Sequence, residues 1–455
     1  MEFILEEMMK HWIEEIVFYH IYPLGLCAAP DRNDPNLPPV SRLEALYPWL
    51  DHMADLGCNG LYLGPLFESV SHGYDTTDYY HVDRRLGDNS TLTAIVARAH
   101  ELGIKVVLDG VFNHVGRDFW AFRDVLSNRQ NSAYANWFSG LRFEGNNAYN
   151  DGLTYDCWDG HQNLVKLNLH EAGVRGHLFG AVQQWMDDYH IDGLRLDAAD
   201  VVDKDFLTEL ARFTKSRRPD FWLMGEVVHG DYRNWANPDR LDSVTNYECF
   251  KGLYSSFNDH NMFEISWSLN RQFGDQGMYR DLTLYNFADN HDVSRVASLL
   301  HNPANLLPLY TILFSMPGAP SIYYGSEFAV QGVKESGDAV LRPALNLTEM
   351  QENGLIAPLK RLIQAKKESN ALKFGSYRQL HLANDQFAFL READGQAAIT
   401  VVNSADHAAG FDIPLPGGMD GNFLNLLNTG QTFLSQNGRL HVEMPDHSAM
   451  LLMRQ

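Results

Sequence analysis

Three carboxylates stand where a protein of parallel strands places its chemistry: Asp197 in GLRLDAAD, Glu226 in FWLMGEVV and Asp292 in FADNHD. In the first run a period-two strand sets Arg195 and Asp197 on one face, while Leu194 and Leu196 turn toward covering helices. A cation beside a carboxylate favours the ionised form, which a nucleophile requires. In isolation such a pair reads first as a structural ion pair. The second run is apolar up to Gly225 and then presents Glu226 at the strand's end, a position suited to a general acid. The third brings out His291 and Asp292 together. Three acids converging on one rim repel each other, so function explains their placement better than stability does.

These side chains need a scaffold that brings several strand ends to one rim. From about residue 16, short apolar runs alternate with longer amphipathic segments, the pattern of repeated βα units. IVFYHIYPLG, GCNGLYLGPLF and GIKVVLDGVFNH read as the first three strands. HIDGLRLDAAD, FWLMGEVV, DSVTNYE, LTLYNFADNHD and APSIYYGSE read as strands four to eight. Residues 43–56 and 91–102 carry apolar residues at helical spacing and stop at Gly57 and Gly103. Eight strands in one parallel series predict an α/β fold, a (β/α)8 TIM barrel over 16–114 and 169–370. The irregular stretch 115–168 predicts an insertion after strand three that walls the binding site. Short alternating strands over 371–455, among them QFAFLREA, AAITVVNS, FLNLLN and SAMLLMRQ, predict a C-terminal antiparallel β-domain. Residues 1–15 form a candidate helical extension, with Phe3, Ile4, Met8 and Trp12 as apolar positions that could dock on the barrel or mediate a homodimer.

Further polar residues fall at the same rim. Strand three carries Asp109, Asn113 and His114 in DGVFNH, and the loop after strand two carries Tyr74 and Asp75 in HGYDTTDYY. Taken singly, Asp109 and Asn113 could satisfy loop backbone groups and Tyr74 could be rim packing. Together, DGVFNH, GLRLDAAD, GEVV and FADNHD resemble, in this order, the four signature regions of the α-amylase superfamily, glycoside hydrolase family 13. The resemblance implies Asp197 as nucleophile, Glu226 as acid/base and Asp292 as the acid that orients and distorts the reacting sugar. It further implies that Arg195, His114 and His291 hydrogen-bond that sugar, that Tyr74 stacks on it and that Asp75 lies at its non-reducing edge. LVKLN at 164–168 and GEVVHGD at 225–231 are similar to runs of the neopullulanase, cyclomaltodextrinase and maltogenic amylase group, which implies His229 near the acceptor side. The chain departs from that group in lacking its amino-terminal β-domain and in having Val228 where the group has Trp. Retaining glycoside cleavage needs two carboxyl groups about 5–5.5 Å apart, and strands four and five are neighbours in a barrel. Arg342, after the last strand, could reach Asp75 across the non-reducing end of the pocket; the plainer reading is a structural arginine.

Bulk properties narrow the function. A formal charge of -22 repels phosphate backbones and anionic head groups, which excludes nucleic acid and a membrane surface as expected partners. Cys27, Cys58, Cys157 and Cys249 show no metal spacing or disulfide framework and read as packed thiols. The acidic start MEFILEEMMKHWIEEI lacks the basic region and apolar core of a secretory signal, so a cytoplasmic location is expected. No cofactor is expected to be required, with Asn113 a candidate ligand for a structural calcium. The expected partner is an α-glucan oligosaccharide, small or cyclic maltodextrins first. An exo-acting α-glucosidase or a transglycosylase would use the same acids, and a non-catalytic glycan-binding subunit is the alternative of a different class.

Overall fold

The structure, a computed structural model, describes residues 12–455. Most of the amino-terminal extension expected over 1–15, including Phe3, Ile4 and Met8, therefore lies outside the described residues. Eight parallel strands run β1 Phe18–Ile21, β2 Gly60–Leu63, β3 Lys105–Gly110, β4 Gly193–Leu196, β5 Trp222–Gly225, β6 Ser243–Val244, β7 Tyr285–Phe287 and β8 Ala319–Tyr323. Their hydrogen-bonded order is β6-β5-β4-β3-β2-β1-β8-β7. A parallel bridge between Thr245 and Tyr285, with the Asn246 N–H donating to the Tyr285 carbonyl at 2.9 Å, joins β6 to β7 and closes the barrel.

The pleat divides each strand between two cores. Phe18, Tyr62, Val107, Trp222, Met224, Tyr285 and Phe287 cluster together, while Leu61, Leu63, Leu108, Leu194 and Leu196 join the larger cluster shared with the surrounding helices. Trp12 and Ile13 pack against the first of these clusters, and Trp12 meets Trp222 edge-on with ring centroids 6.0 Å apart. Its Nε1 donates to the Asp220 carbonyl at 3.0 Å. The described end of the extension thus docks on the barrel.

The crossover helices follow the apolar spacing. Tyr47–Leu56 buries Trp49, Leu50, Met53 and Leu56 and ends at Gly57, whose φ of +94° is the left-handed turn that glycine adopts at least cost. Asn89–Glu101 begins with a capping box, the Asp88 side chain accepting from the Thr91 N–H and the Thr91 hydroxyl facing the Asp88 N–H.

Two connecting segments are more ordered than their composition suggests. The loop expected at HGYDTTDYY leads into a strand, Thr76–Val82, paired antiparallel with Phe67–Ser69. Within the insertion, His114–Gly116, His161–Lys166 and Cys157–Trp158 build a three-stranded sheet beside the helix Trp120–Asn128. Register shifts and very short strands hide its alternation in the sequence.

Past the helix Ile356–Glu368, the C-terminal unit has a six-stranded antiparallel sheet and a separate pair, Ala409–Pro414 with Arg439–Met444. Ile399, Val401, Ile413, Phe423, Val442 and Leu452 lie in its core. Among the described residues no helix is long and apolar enough to cross a membrane.

Candidate active site

The ends of β3, β4 and β5 meet on one guanidinium. Arg195 is 2% exposed and points into the barrel mouth from β4. Its Nη1 donates to Asp109 Oδ1 at 2.8 Å and to Asp197 Oδ1 at 2.9 Å, and its Nη2 lies 2.8 Å from Glu226 Oε2. The planar fork of arginine makes this three-way bridge possible. Asp109 is held further by the hydroxyls of Tyr62, at 3.0 Å, and Tyr74, at 3.2 Å. Asp109 is therefore the buried counter-charge that fixes Arg195, a larger task than the loop capping its sequence suggested.

Local backbone geometry aims the two acids. Immediately after Asp197, Ala198 has a φ of +46°, which turns its N–H to donate to Glu226 Oε2 at 3.1 Å. Before Glu226, a Cβ at Gly225 would lie 2.5 Å from Leu241 Cδ1 and 2.8 Å from Ala199 Cβ, so only glycine fits between the strands there. The Tyr247 hydroxyl donates to Glu226 Oε1 at 3.3 Å and accepts from Asn290 Nδ2 at 3.1 Å. Neither Tyr247 nor Asn290 was singled out from sequence, although both stand beside recognised strand ends.

Asp292 occupies a separate cationic niche. His291 Nε2 is 2.9 Å from its Oδ2, Arg342 Nη2 donates to its Oδ1 at 2.8 Å, and Arg342 Nε donates to the His291 carbonyl at 3.0 Å. The Tyr74 hydroxyl also meets His291 Nε2. Arg342 has Asp338 as its second carboxylate, 3.4 Å away. This corrects the expected reach to Asp75. The Asp75 carboxylate is 4% exposed and accepts from the Ser71 N–H at 3.0 Å and the Ser71 hydroxyl at 2.6 Å, which ties the turn before Tyr74.

The electrostatics separate the acids. Burial raises the Asp197 carboxyl well above the usual range; Arg195 opposes this, while Glu226, Asp109 and Asp292 add to it. The sequence had suggested the reverse, because the desolvation that outweighs the cation is not legible in an RxD spacing. For Asp292, burial acts upward too, but His291, Arg342 and Arg195 together hold it well below the usual range. His114, 1% exposed, is pushed down to about 4, chiefly by burial, with its Nε2 at 3.9 Å from Asp197 Oδ2.

Asp197, Glu226 and Asp292 line a pocket of about 760 Å³ together with Tyr74, His114 and Arg342. Trp158, His161 and Lys166 of the insertion and Lys334 and Asp338 of the loop after β8 complete its walls. A hollow of about 860 Å³ beside Arg84 and Asp118 is lined by none of the candidate site residues. His229 is exposed and lines an adjoining cavity, which shares Val228 and Tyr247 with the pocket. Asn113 Oδ1 is buried without a partner, and Asn113 Nδ2 faces His114 Nδ1 at 3.2 Å. Calcium takes six to eight oxygen ligands, and no group of three or more His, Cys, Asp or Glu able to hold a metal occurs among the described residues. Amide and backbone carbonyl oxygens also serve calcium, and the unpartnered Asn113 Oδ1 is one such oxygen.

Comparison with known proteins agrees with this geometry. The profile of the alpha amylase catalytic domain matches residues 41–373. A cyclomaltodextrinase of a Bacillus species is 32% identical over 417 residues, covering 86% of this chain and 73% of its own. Neopullulanase 2 of Thermoactinomyces vulgaris is 30% identical over 468 residues, covering 97% of this chain and 78% of its own. Among solved structures, a cyclomaltodextrinase superposes with a TM-score of 0.86 at 28% identity, covering 98% of this chain and 78% of its own. The cyclic alpha-maltosyl-(1→6)-maltose hydrolase of Arthrobacter globiformis, in complex with that cyclic sugar, superposes with a TM-score of 0.81 at 26% identity, covering 97% and 99%. The chain belongs to the alpha-amylase family of glycoside hydrolases.

Proposed function

We propose that the protein hydrolyses α-glucosidic bonds in small or cyclic malto-oligosaccharides with retention of configuration. The observation that carries this reading is the bridge of Asp197 and Glu226 by one guanidinium, in a pocket closed by the insertion. One side chain touching both acids holds them at the same mouth of the barrel, where a double displacement needs a nucleophile and an acid/base side by side.

Asp197 attacks the anomeric carbon while Glu226 gives a proton to the departing oxygen; Glu226 then takes a proton from water, and that water releases the sugar from Asp197. The resting site needs one proton shared between the two acids. Burial favours its residence on Asp197, and the productive arrangement has it on Glu226. Arg195 contacts both carboxylates and stabilises either placement. Asp292, ionised within its cationic niche, fixes the hydroxyls of the reacting sugar, and Tyr74 and His114 frame that sugar. The reading includes action without a required cofactor and a cytoplasmic location, the latter supported by four unpaired thiols.

The test is kcat/KM on maltotriose, cyclomaltodextrin, pullulan and soluble starch at matched bond concentrations. Small or cyclic maltodextrins are expected to exceed starch. Starch as the better substrate would replace this reading with an ordinary endo-amylase.

A further inference from the structure

A second cavity of about 930 Å³ adjoins the catalytic pocket, and Val228 and Tyr247 line both. Tyr247 carries the directional information. Its hydroxyl contacts Glu226, the acid that protonates the departing oxygen, so its ring lies on the leaving-group side of the reacting bond. Tyr74, Arg342 and Asp338 gather instead about His291 and Asp292. A glucan chain whose reacting bond lies at Glu226 therefore has its reducing-side arm directed past Val228 into the second cavity.

That cavity is built to meet sugar rings. The helix Phe263–Phe273 buries Ile265, Leu269, Gln272 and Phe273, yet its outer face presents Phe263 and Trp267, 48% and 62% exposed. These two stand at i and i+4, one above the other on the same face. Folding gains little from aromatic surface left in water, and a glucosyl ring offers a flat C–H face that can cover it. The Arg271 guanidinium lies 5.6 Å from the Trp267 ring and is itself paired with Glu248, which limits the ring's freedom.

We propose that Trp267, with Phe263, is the stacking platform for the reducing-side arm of an α-1,4-linked glucan longer than maltotriose. The site takes over the leaving-group side where Val228 offers only a small side chain. This inference rests on the reading of Glu226 as the acid/base.

The test is calorimetric binding of maltotriose and maltohexaose to the full chain carrying Glu226→Gln, with and without Trp267→Ala. The expected result is that Trp267→Ala weakens maltohexaose about tenfold, the scale of one aromatic contact, and weakens maltotriose by a clearly smaller factor. Trp267→Phe in the same background is expected to restore most of the loss. An unchanged Kd for maltohexaose, or an equal loss for both sugars, overturns the proposal. Whether the unmutated enzyme cleaves maltohexaose is measured separately, so failure of the hydrolase reading is distinguishable from failure of the platform.

Discussion

Arg195 holds Asp197 through Nη1 at 2.9 Å and Glu226 through Nη2 at 2.8 Å, while its own charge is balanced by Asp109 beneath. The proposed nucleophile and acid/base are thus positioned by one side chain, whose only route to three carboxylates is a planar fork. Lysine at this position would supply charge without that geometry.

Arg195→Lys is accordingly expected to fold and to lose roughly 10²–10³-fold in kcat, the scale of removing one preorganised electrostatic contact. Arg195→Leu leaves Asp109 buried without its cation, and is expected to lower stability by about 3–5 kcal/mol. Steady-state kinetics and thermal unfolding measure the two effects. Near-normal kcat in Arg195→Lys would contradict the assigned role.

Asp197→Asn and Glu226→Gln are each expected to reduce turnover by about 10³-fold or more. Both residues stand at the barrel rim and neither fills the core, so near-native circular dichroism is expected alongside the loss. Substantial turnover by either folded variant would remove that residue from the mechanism.

The sequence made the barrel legible because each strand pairs a compact apolar run with a polar rim residue, as in GLRLD and LMGE. Arg195 beside Asp197 followed from strand period alone. The sign of the Asp197 shift did not, because burial is a property of the assembled rim. Arg342 turned to Asp292 and Asp338 instead of Asp75, since the turn at Ser71 had already consumed the Asp75 carboxylate. The pocket walls at Trp158 and His161 sit on a very short strand and at the start of the next, where no periodicity accumulates. Tyr247 was missed although it begins a helix two residues after a recognised strand's last bridge.

The buried His114 ties stability to pH. Its folded-state value of about 4 lies below the ordinary 6.5, so the unfolded chain binds more protons between those limits. Its contribution is fully present above about pH 6.5 and is lost as pH falls toward 4, by at most about 3 kcal/mol. Asp197, raised by burial, acts with the opposite sign over the acid range. The His114 share is therefore read by difference: His114→Asn is expected to show a shallower fall in Tm from pH 6.5 to pH 4 than the parent protein. An equal or steeper fall would show that His114 is not held neutral by the fold.

The most direct measurement is the anomeric form of the first product. With maltotriose or another α-1,4-linked maltodextrin as substrate, NMR followed before mutarotation is expected to show the α-anomer at the newly formed reducing end, because two displacements at Asp197 restore the original configuration. Initial release of the β-anomer would contradict a double displacement and with it the assignment of Asp197 as nucleophile.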